Sequence, residues 1–189
     1  MKTTDYRPRH QWDEKLSLPH GSVERIVHGS ATWHKAQTGS VSVADYWADV
    51  GAQLGISEGD TQQLADEFYS GDTLDMALVD YIQTLRAAGH IVALLSNDSP
   101  ALMEKLRALN IDSLFDPLLI SANIGVMKPD AAAFQAILTA LNRPAPETVF
   151  IDDNADNIAG AAALGIHTVH YKGDIHLPSV MESLLSYES

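Results

Sequence analysis

The sequence predicts an α/β protein, a doubly wound parallel sheet preceded by a small helical bundle, and three observations lead there. Residues 1–75 carry helical apolar patterns and no run that reads as a buried strand, whereas residues 90–171 alternate short apolar runs with amphipathic stretches. The runs themselves, Ile91-Val92-Ala93-Leu94-Leu95 foremost, lack the polar alternation of a half-solvated strand. Continuous apolar strands belong to parallel sheets covered on both faces, and strands alternating with helices imply right-handed crossovers. The character changes near Asp72 to Asp75, so residues 1–75 are expected to form the N-terminal segment and helical unit, and residues 76–189 the α/β core.

An extended N-terminal segment is expected first. Val23, Ile26 and Val27 then fall at helical spacing behind Gly21-Ser22. Ser42 suits an N-cap, with Asp45 three residues on in a near capping box, for a helix placing Tyr46, Trp47, Val50 and Leu54 on one face before Gly55 ends it. A third helix, from about Asp60 to Tyr69, aligns Leu64, Ala65 and Phe68. In the core, a helix through Leu78, Ile82 and Leu85 stops at Gly89 and leads into the 91–95 strand. A helix over Leu102, Leu106 and Leu109 precedes a strand at Leu118-Leu119-Ile120. Phe134, Ile137, Leu138 and Leu141 mark the next helix, with Phe134 in the core, and Val149-Phe150-Ile151 the next strand. A helix from Ile158 to Leu164, a strand from His167 to His170 and a terminal helix near Leu177 to Leu185 complete the order.

Composition narrows the function. Lys and Arg number 12 against 25 Asp and Glu, a formal charge of −13, which argues against nucleic acid as a partner and requires a local basic exception for any anionic substrate. No apolar run approaches a transmembrane span and residues 1–8 do not read as a signal peptide, so no membrane association and a cytoplasmic location are expected. Without cysteine, covalent chemistry must use oxygen or nitrogen.

Three polar clusters fall at the carboxyl ends of predicted strands, where open α/β sheets bind ligands. Ser96-Asn97-Asp98-Ser99 follows the first apolar run, Lys128-Pro129-Asp130 opens the helix after the second, and Asp152-Asp153-Asn154 follows the third. Ser96, Asn97 and the N–H groups of the following helix suit a phosphate or carboxylate, Lys128 adds a cation, and Asp152 and Asp153 offer hard oxygens of the kind Mg²⁺ takes. Singly, each cluster has a plainer explanation as a helix cap, a helix start or a pair of aspartates set against a helix dipole; their recurrence at successive strand ends favours a phosphate and metal site.

At these residues the chain resembles the haloacid dehalogenase-like superfamily, most closely its small-helical-cap branch, which includes the phosphatase domain of soluble epoxide hydrolases. Leu94-Leu95-Ser96-Asn97 is similar to the family's second motif and Gly125-Val126-Met127-Lys128-Pro129-Asp130 to its third. Residues 149–158, with Ala161-Ala162 and Leu164-Gly165-Ile166, are similar to the fourth. The resemblance implies a Rossmann-like core with residues 1–75 contributing a cap, and hydrolysis of a small phosphorylated metabolite through an aspartyl-phosphate. It further implies that Ser96 and Asn97 bind the phosphoryl group, that Lys128 neutralises nucleophile and phosphate, and that Asp153 ligates Mg²⁺ with support from Asp152 and Asn157.

The family's first motif, an apolar strand ending in Asp-x-Asp, has no counterpart here. Asp5 follows no apolar run, and Asp13 in Gln11-Trp12-Asp13-Glu14-Lys15 is expected on a solvated face. A central strand is therefore expected to be missing, exposing two inner sheet edges at about 1–3 kcal/mol for each buried unpaired group. Collapse of the sheet, a strand from a partner chain, or an N-terminus truncated in this record would close the gap. The expected function is a phosphatase-type hydrolase, inactive as written; the alternative is a non-catalytic phosphate-binding or assembly pseudoenzyme that self-associates through its open edges. Trp33, Tyr46, Trp47, Phe68 and Tyr69 are expected as cap core in preference to a pocket lining. Glu58-Gly59-Asp60 is expected as a solvated turn, and His167 and His170 on opposite strand faces, not sharing a metal.

Overall fold

The computed structural model describes residues 1–185. Its first half is helical: α1 Arg7–Lys15, α2 Ser22–Gly29, α3 Ala31–Gln37, α4 Val43–Leu54 and α5 Glu58–Phe68 follow a two-residue strand, β1 Lys2–Thr3, which pairs antiparallel with β2 Asp72–Thr73. Local chemistry starts these helices. Ser42 Oγ accepts the Asp45 N–H at 3.0 Å and donates to its carboxylate at 2.7 Å, and Ser57 does the same for Asp60, so α4 and α5 each open on a serine N-cap. Gly55, at φ +67°, ends α4 in the left-handed region. The apolar faces meet in one cluster around Trp12, Val23, Val27, Tyr46, Val50, Leu64 and Phe68, all but fully buried.

Three expectations need correction in this half. The N-terminal segment is extended only as far as β1, because Pro8 sits in the first turn of α1. The third predicted helix begins at Glu58, its cap being Ser57 and not Asp60. Asp13 is 3% exposed rather than solvated: its carboxylate accepts the N–H groups of Gly21 at 2.7 Å and Val23 at 2.8 Å, two donors that the start of α2 would otherwise leave unpaired.

The second half runs α6 Met76–Ala87, β3 Leu94–Ser96, α7 Ala101–Ala108, β4 Leu118–Ile120, α8 Ser121–Ile124, α9 Ala131–Leu141, β5 Val149–Asp152, α10 Ala155–Ala162, β6 His167–His170 and α11 Leu177–Leu185. β3 pairs parallel with β4 in the register Leu94 with Leu118, and β5 pairs parallel with β6 in the register Val149 with His167. β3 and β5 do not pair, so the α/β sheet consists of two parallel ladders with a gap between their inner edges. A cavity of about 490 Å³ lies there, lined by residues 91–95 of one ladder and 148–151 of the other. The strands are accordingly less buried than their sequences predict: every residue of β5 is only half-buried and Ile91 is 52% exposed. The apolar runs are those of strands covered on all sides, and one side is open.

The ion pair between Asp72 and Lys105 joins the halves, anchored by a network within the first. The buried Arg9 guanidinium donates to Glu24 at 2.6 Å, to Thr3 Oγ1 at 2.7 Å and to Asp72 at 3.1 Å, while the other Asp72 oxygen holds Lys105 of α7 at 3.2 Å. Gly71 makes this seam possible, since its carbonyl accepts the Thr4 and Asp5 N–H groups and a Cβ on it would collide with the Asp5 backbone.

Candidate functional site

The three predicted clusters do converge, and the loop at Lys128 is what joins them. Asn97, one residue beyond β3, accepts the Lys128 N–H on Oδ1 at 2.8 Å and donates from Nδ2 to the Lys128 carbonyl at 2.7 Å. Lys128 Nζ then reaches Asp152, the last residue of β5, at 2.7 Å and lies 5.1 Å from the centre of the Phe150 ring. The carboxyl ends of β3 and β5 are thus tied through one lysine. Gly160 of α10 permits the approach, because a Cβ there would meet the Pro129 carbonyl at 2.8 Å and the Phe134 ring at 3.1 Å.

These contacts assign several residues work that differs from the sequence expectation. The Asn97 side chain is engaged with the Lys128 backbone on both atoms, so it positions the loop; its own carbonyl accepts Gln37 Nε2 from the helical half at 3.0 Å. Asp152 accepts from Lys128 on one oxygen, and from the Asn154 N–H at 2.8 Å and Asn157 Nδ2 at 3.1 Å on the other. Burial pushes the Asp152 carboxyl up, but these hydrogen bonds outweigh it and hold the group below the usual carboxylate range. Asn157, 7% exposed, supports that carboxylate directly. The N-terminal turn of α7, expected to offer free donors, has the N–H groups of Leu102 and Met103 bonded to the Ser99 and Pro100 carbonyls.

Asp153 stands apart. It is exposed, and among the described residues its carboxylate has no hydrogen bond or ion pair; its backbone carbonyl lies 2.8 Å from His170 Nε2. Among the described residues no group of three or more His, Asp or Glu gathers into a metal cage. Of the three residues expected at a metal, Asp152 and Asn157 are engaged with each other, which leaves Asp153, among the described residues, as the carboxylate that could meet Mg²⁺ beside water and phosphate oxygens.

Beside this centre lies a second cavity of about 480 Å³ between the helical half and β3, walled by Trp33, Tyr46, Trp47 and Tyr69 on one side and by Ser96, Asp98, Ser99 and Lys105 on the other. The aromatic residues do both jobs weighed from the sequence: Tyr46 and Phe68 are buried in the cap core, while Trp33, Trp47 and Tyr69 pack on it and face this space. Asp98 is the group that sequence reasoning passed over. Burial pushes its carboxyl up, against the opposing pull of the Ser99 N–H at 2.7 Å and of Lys105, so a carboxyl that holds its proton more tightly than usual lines the cavity one step from Asn97. The available signal was its place in Ser96-Asn97-Asp98-Ser99, straight after a buried strand. Asp5 is paired with Arg7 at 2.6 Å, and hydrogen bonds from that residue hold its carboxyl at about 2.

Comparison with known proteins agrees with this architecture. The chain is 25% identical over 145 residues to a sesquiterpene phosphatase of Aspergillus oryzae, covering 76% of this chain and 74% of that protein. It is 31% identical over 123 residues to a GMP/IMP nucleotidase of Escherichia coli, covering 65% of this chain and 53% of that one. It spans between 17% and 40% of the length of four other curated relatives. A haloacid dehalogenase-family enzyme of Bacteroides thetaiotaomicron, crystallised with magnesium and inorganic phosphate, superposes with a TM-score of 0.77 at 19% identity, covering 94% of this chain and 90% of that one, a likeness of fold. A family model described as haloacid dehalogenase-like hydrolase matches residues 4–165, nearly the whole of both halves. With that match over residues 4–165, the chain belongs to the haloacid dehalogenase-like hydrolases.

Proposed function

We propose that this chain is a phosphatase-type member of the family whose pocket takes a small phosphate monoester with an apolar body. The observation that carries the reading is the junction of the Lys128 centre with the aromatic cavity through Ser96 and its neighbours. Ser96 Oγ and the remaining Lys128 N–H donors would bind phosphate oxygens. Asn97, Asp152 and Asn157 would hold Lys128 in place, and Trp33, Trp47 and Tyr69 would receive the apolar portion of the substrate. The relative named as a sesquiterpene phosphatase supports an apolar body, and the solved relative crystallised with magnesium and phosphate supports Mg²⁺ beside the phosphate, where Asp153 would meet it. When bound, Mg²⁺ supplies charge neutralisation at the phosphate oxygens.

The sequence contains no Asp-x-Asp, and no further carboxylate pairs with Lys128 among the described residues. The 189-residue chain is therefore proposed to bind phosphate esters without turning them over, the phosphate-binding pseudoenzyme being its form as written. Calorimetry and phosphate release test both parts with an isoprenoid monophosphate, glycerol phosphate and a generic aryl phosphate in Mg²⁺. The expected result is tighter binding of the isoprenoid ester, weakened about tenfold by Trp47→Ala, and no turnover. Equal binding of glycerol phosphate would contradict the apolar pocket, and robust turnover abolished by Asp153→Ala would contradict inactivity.

A further inference from the structure

We propose that His10 and His20 form a binding site for a divalent transition-metal ion of the Zn²⁺ class, in the helical half and apart from the Lys128 centre.

The ring geometry carries the assignment. His10 Nδ1 and His20 Nε2 lie 3.1 Å apart, while the ring centroids are 3.8 Å apart and the planes meet at 47°. A head-on N–H···N hydrogen bond, with one nitrogen aimed at the other, would place the centroids roughly 5 Å apart. The rings are instead overlapped and set the two nitrogens beside each other, so that a modest rotation about each Cβ–Cγ bond aims both lone pairs at one ion. With metal–nitrogen bonds of about 2.0–2.1 Å, that separation subtends about 100° at the ion, between the square and the tetrahedral angle. The other two ring nitrogens, His10 Nε2 and His20 Nδ1, have no hydrogen bond among the described residues. Each can carry its ring's proton and leave the facing nitrogen free to ligate.

The backbone holds the pair ready. His10 lies within α1, its ring stacked on Tyr6 at 5.7 Å and 19°. His20 lies in the turn between α1 and α2, and α1 grips that turn through Asp13. The Asp13 carbonyl accepts the Leu18 N–H at 2.8 Å, and its carboxylate takes the N–H groups of Gly21 and Val23. Pro19 stiffens the approach to His20, and the Ser22 N–H closes onto the Pro19 carbonyl at 3.0 Å. The turn bearing one ligand is thus fastened to the helix bearing the other, and little ordering is left for binding to impose.

Composition selects the ion. Imidazole suits Zn²⁺, Ni²⁺ and Cu²⁺, whereas Mg²⁺ takes oxygen. The chain has no cysteine whose thiolate would compete, and its formal charge of −13 attracts cations. Among the described residues no group of three or more His, Asp or Glu gathers around an ion, so water completes the shell. An ion held there ties α1 to the turn and stabilises the folded chain by binding it alone.

The test uses the full 189-residue chain without an affinity tag, titrated with zinc chloride by calorimetry in excess Mg²⁺. Saturable one-to-one binding is expected, with a rise in the urea midpoint when Zn²⁺ is present. Of the eight histidines, the ring resonances of His10 and His20 are expected to shift and the others to stay. His10→Ala and His20→Ala are each expected to weaken binding at least about tenfold, because a lone imidazole loses the chelate. His90→Ala, at an exposed position of the other half, is expected to leave affinity unchanged. The urea midpoint of each variant without Zn²⁺ checks that the fold persists. The proposal is overturned if Zn²⁺ does not saturate, if both His10→Ala and His20→Ala bind it as tightly, or if the shifted resonances belong to other histidines. It is also overturned if excess Mg²⁺ displaces the bound Zn²⁺.

Discussion

The two halves of this chain meet the absence of a neighbour differently. In the helical half, five helices close around Trp12, Tyr46, Leu64 and Phe68 with exposures of 0–2%, and Asp13, Ser30, Ser42 and Ser57 pair helix-start donors from side chains nearby in sequence. In the α/β half, β5 is half-buried along its whole length and a cavity of about 490 Å³ separates it from β3. A helix satisfies its backbone from within and its caps, so it needs neighbours only for its apolar stripe. A strand depends on another strand for every main-chain bond, and an inner edge without one stays open. The same chain is therefore expected to be tight in its cap and soft in its sheet.

The largest effect that separates the halves is a cavity-forming pair of substitutions. Phe68→Ala in the cap is expected to cost about 3–5 kcal/mol in urea unfolding, while Phe150→Ala beside the gap costs less than half as much, because its ring already borders empty space. Equal losses would mean that the sheet packs as well as the bundle. Next comes Lys128→Met, which leaves the half-buried Asp152 carboxylate without its cation; a loss of about 1–3 kcal/mol is expected, and a double variant that also carries Asp152→Leu should recover part of it. Asp13→Ala is expected to cost about 1–2 kcal/mol through the two donors at the start of α2, measurable as a shift of the urea midpoint at constant slope.

The smallest effect contrasts two carboxyls at neighbouring strand ends. Asp152 is held below its unfolded value, so its stabilisation is present above the ordinary carboxylate range and lost as pH falls through its lowered folded pKa. Asp98 is raised, so the folded state binds its proton more tightly and stability declines as pH climbs from the ordinary range through the raised value. Stability against pH should therefore lose its acid-side fall in part with Asp152→Asn, whereas Asp98→Asn should raise stability above that window. Profiles unchanged by both substitutions would show that neither shift operates.

Most elements were legible in the sequence because their signals are local. The cap at Ser42 with Asp45, the stop at Gly55 and the apolar strand runs each report on a few adjacent residues; the structure has them, except that the run expected as a strand over 91–95 is one only from Leu94 to Ser96, because residues 91–93 border the gap. Helix α3 was not legible, since Trp33 and Ala36 alone make a thin apolar stripe and its cap, Ser30, is one serine among many. Asp13 misled because its partners, Gly21 and Val23, come from a turn that folds back on α1. At the site, residue types and strand-end positions were readable, and the three clusters do meet at Lys128. Which of those residues hold one another was not: that Asn97 grips the Lys128 backbone and that Asp152 is engaged with Lys128 are facts of three-dimensional placement, invisible in composition. The open edge was foreseen only because a strand was lacking, and its consequence, half-burial of apolar runs that read as fully covered, appears only in the fold.

Native-state hydrogen exchange on the 189-residue chain tests the split sheet most directly. The amides of Ala93, Leu95, Val149 and Ile151 are expected to exchange through local fluctuation, about a hundredfold or more faster than those of Val27, Val50 and Leu64 in the cap. Protection of these four amides equal to that of the cap would contradict the open gap between the ladders.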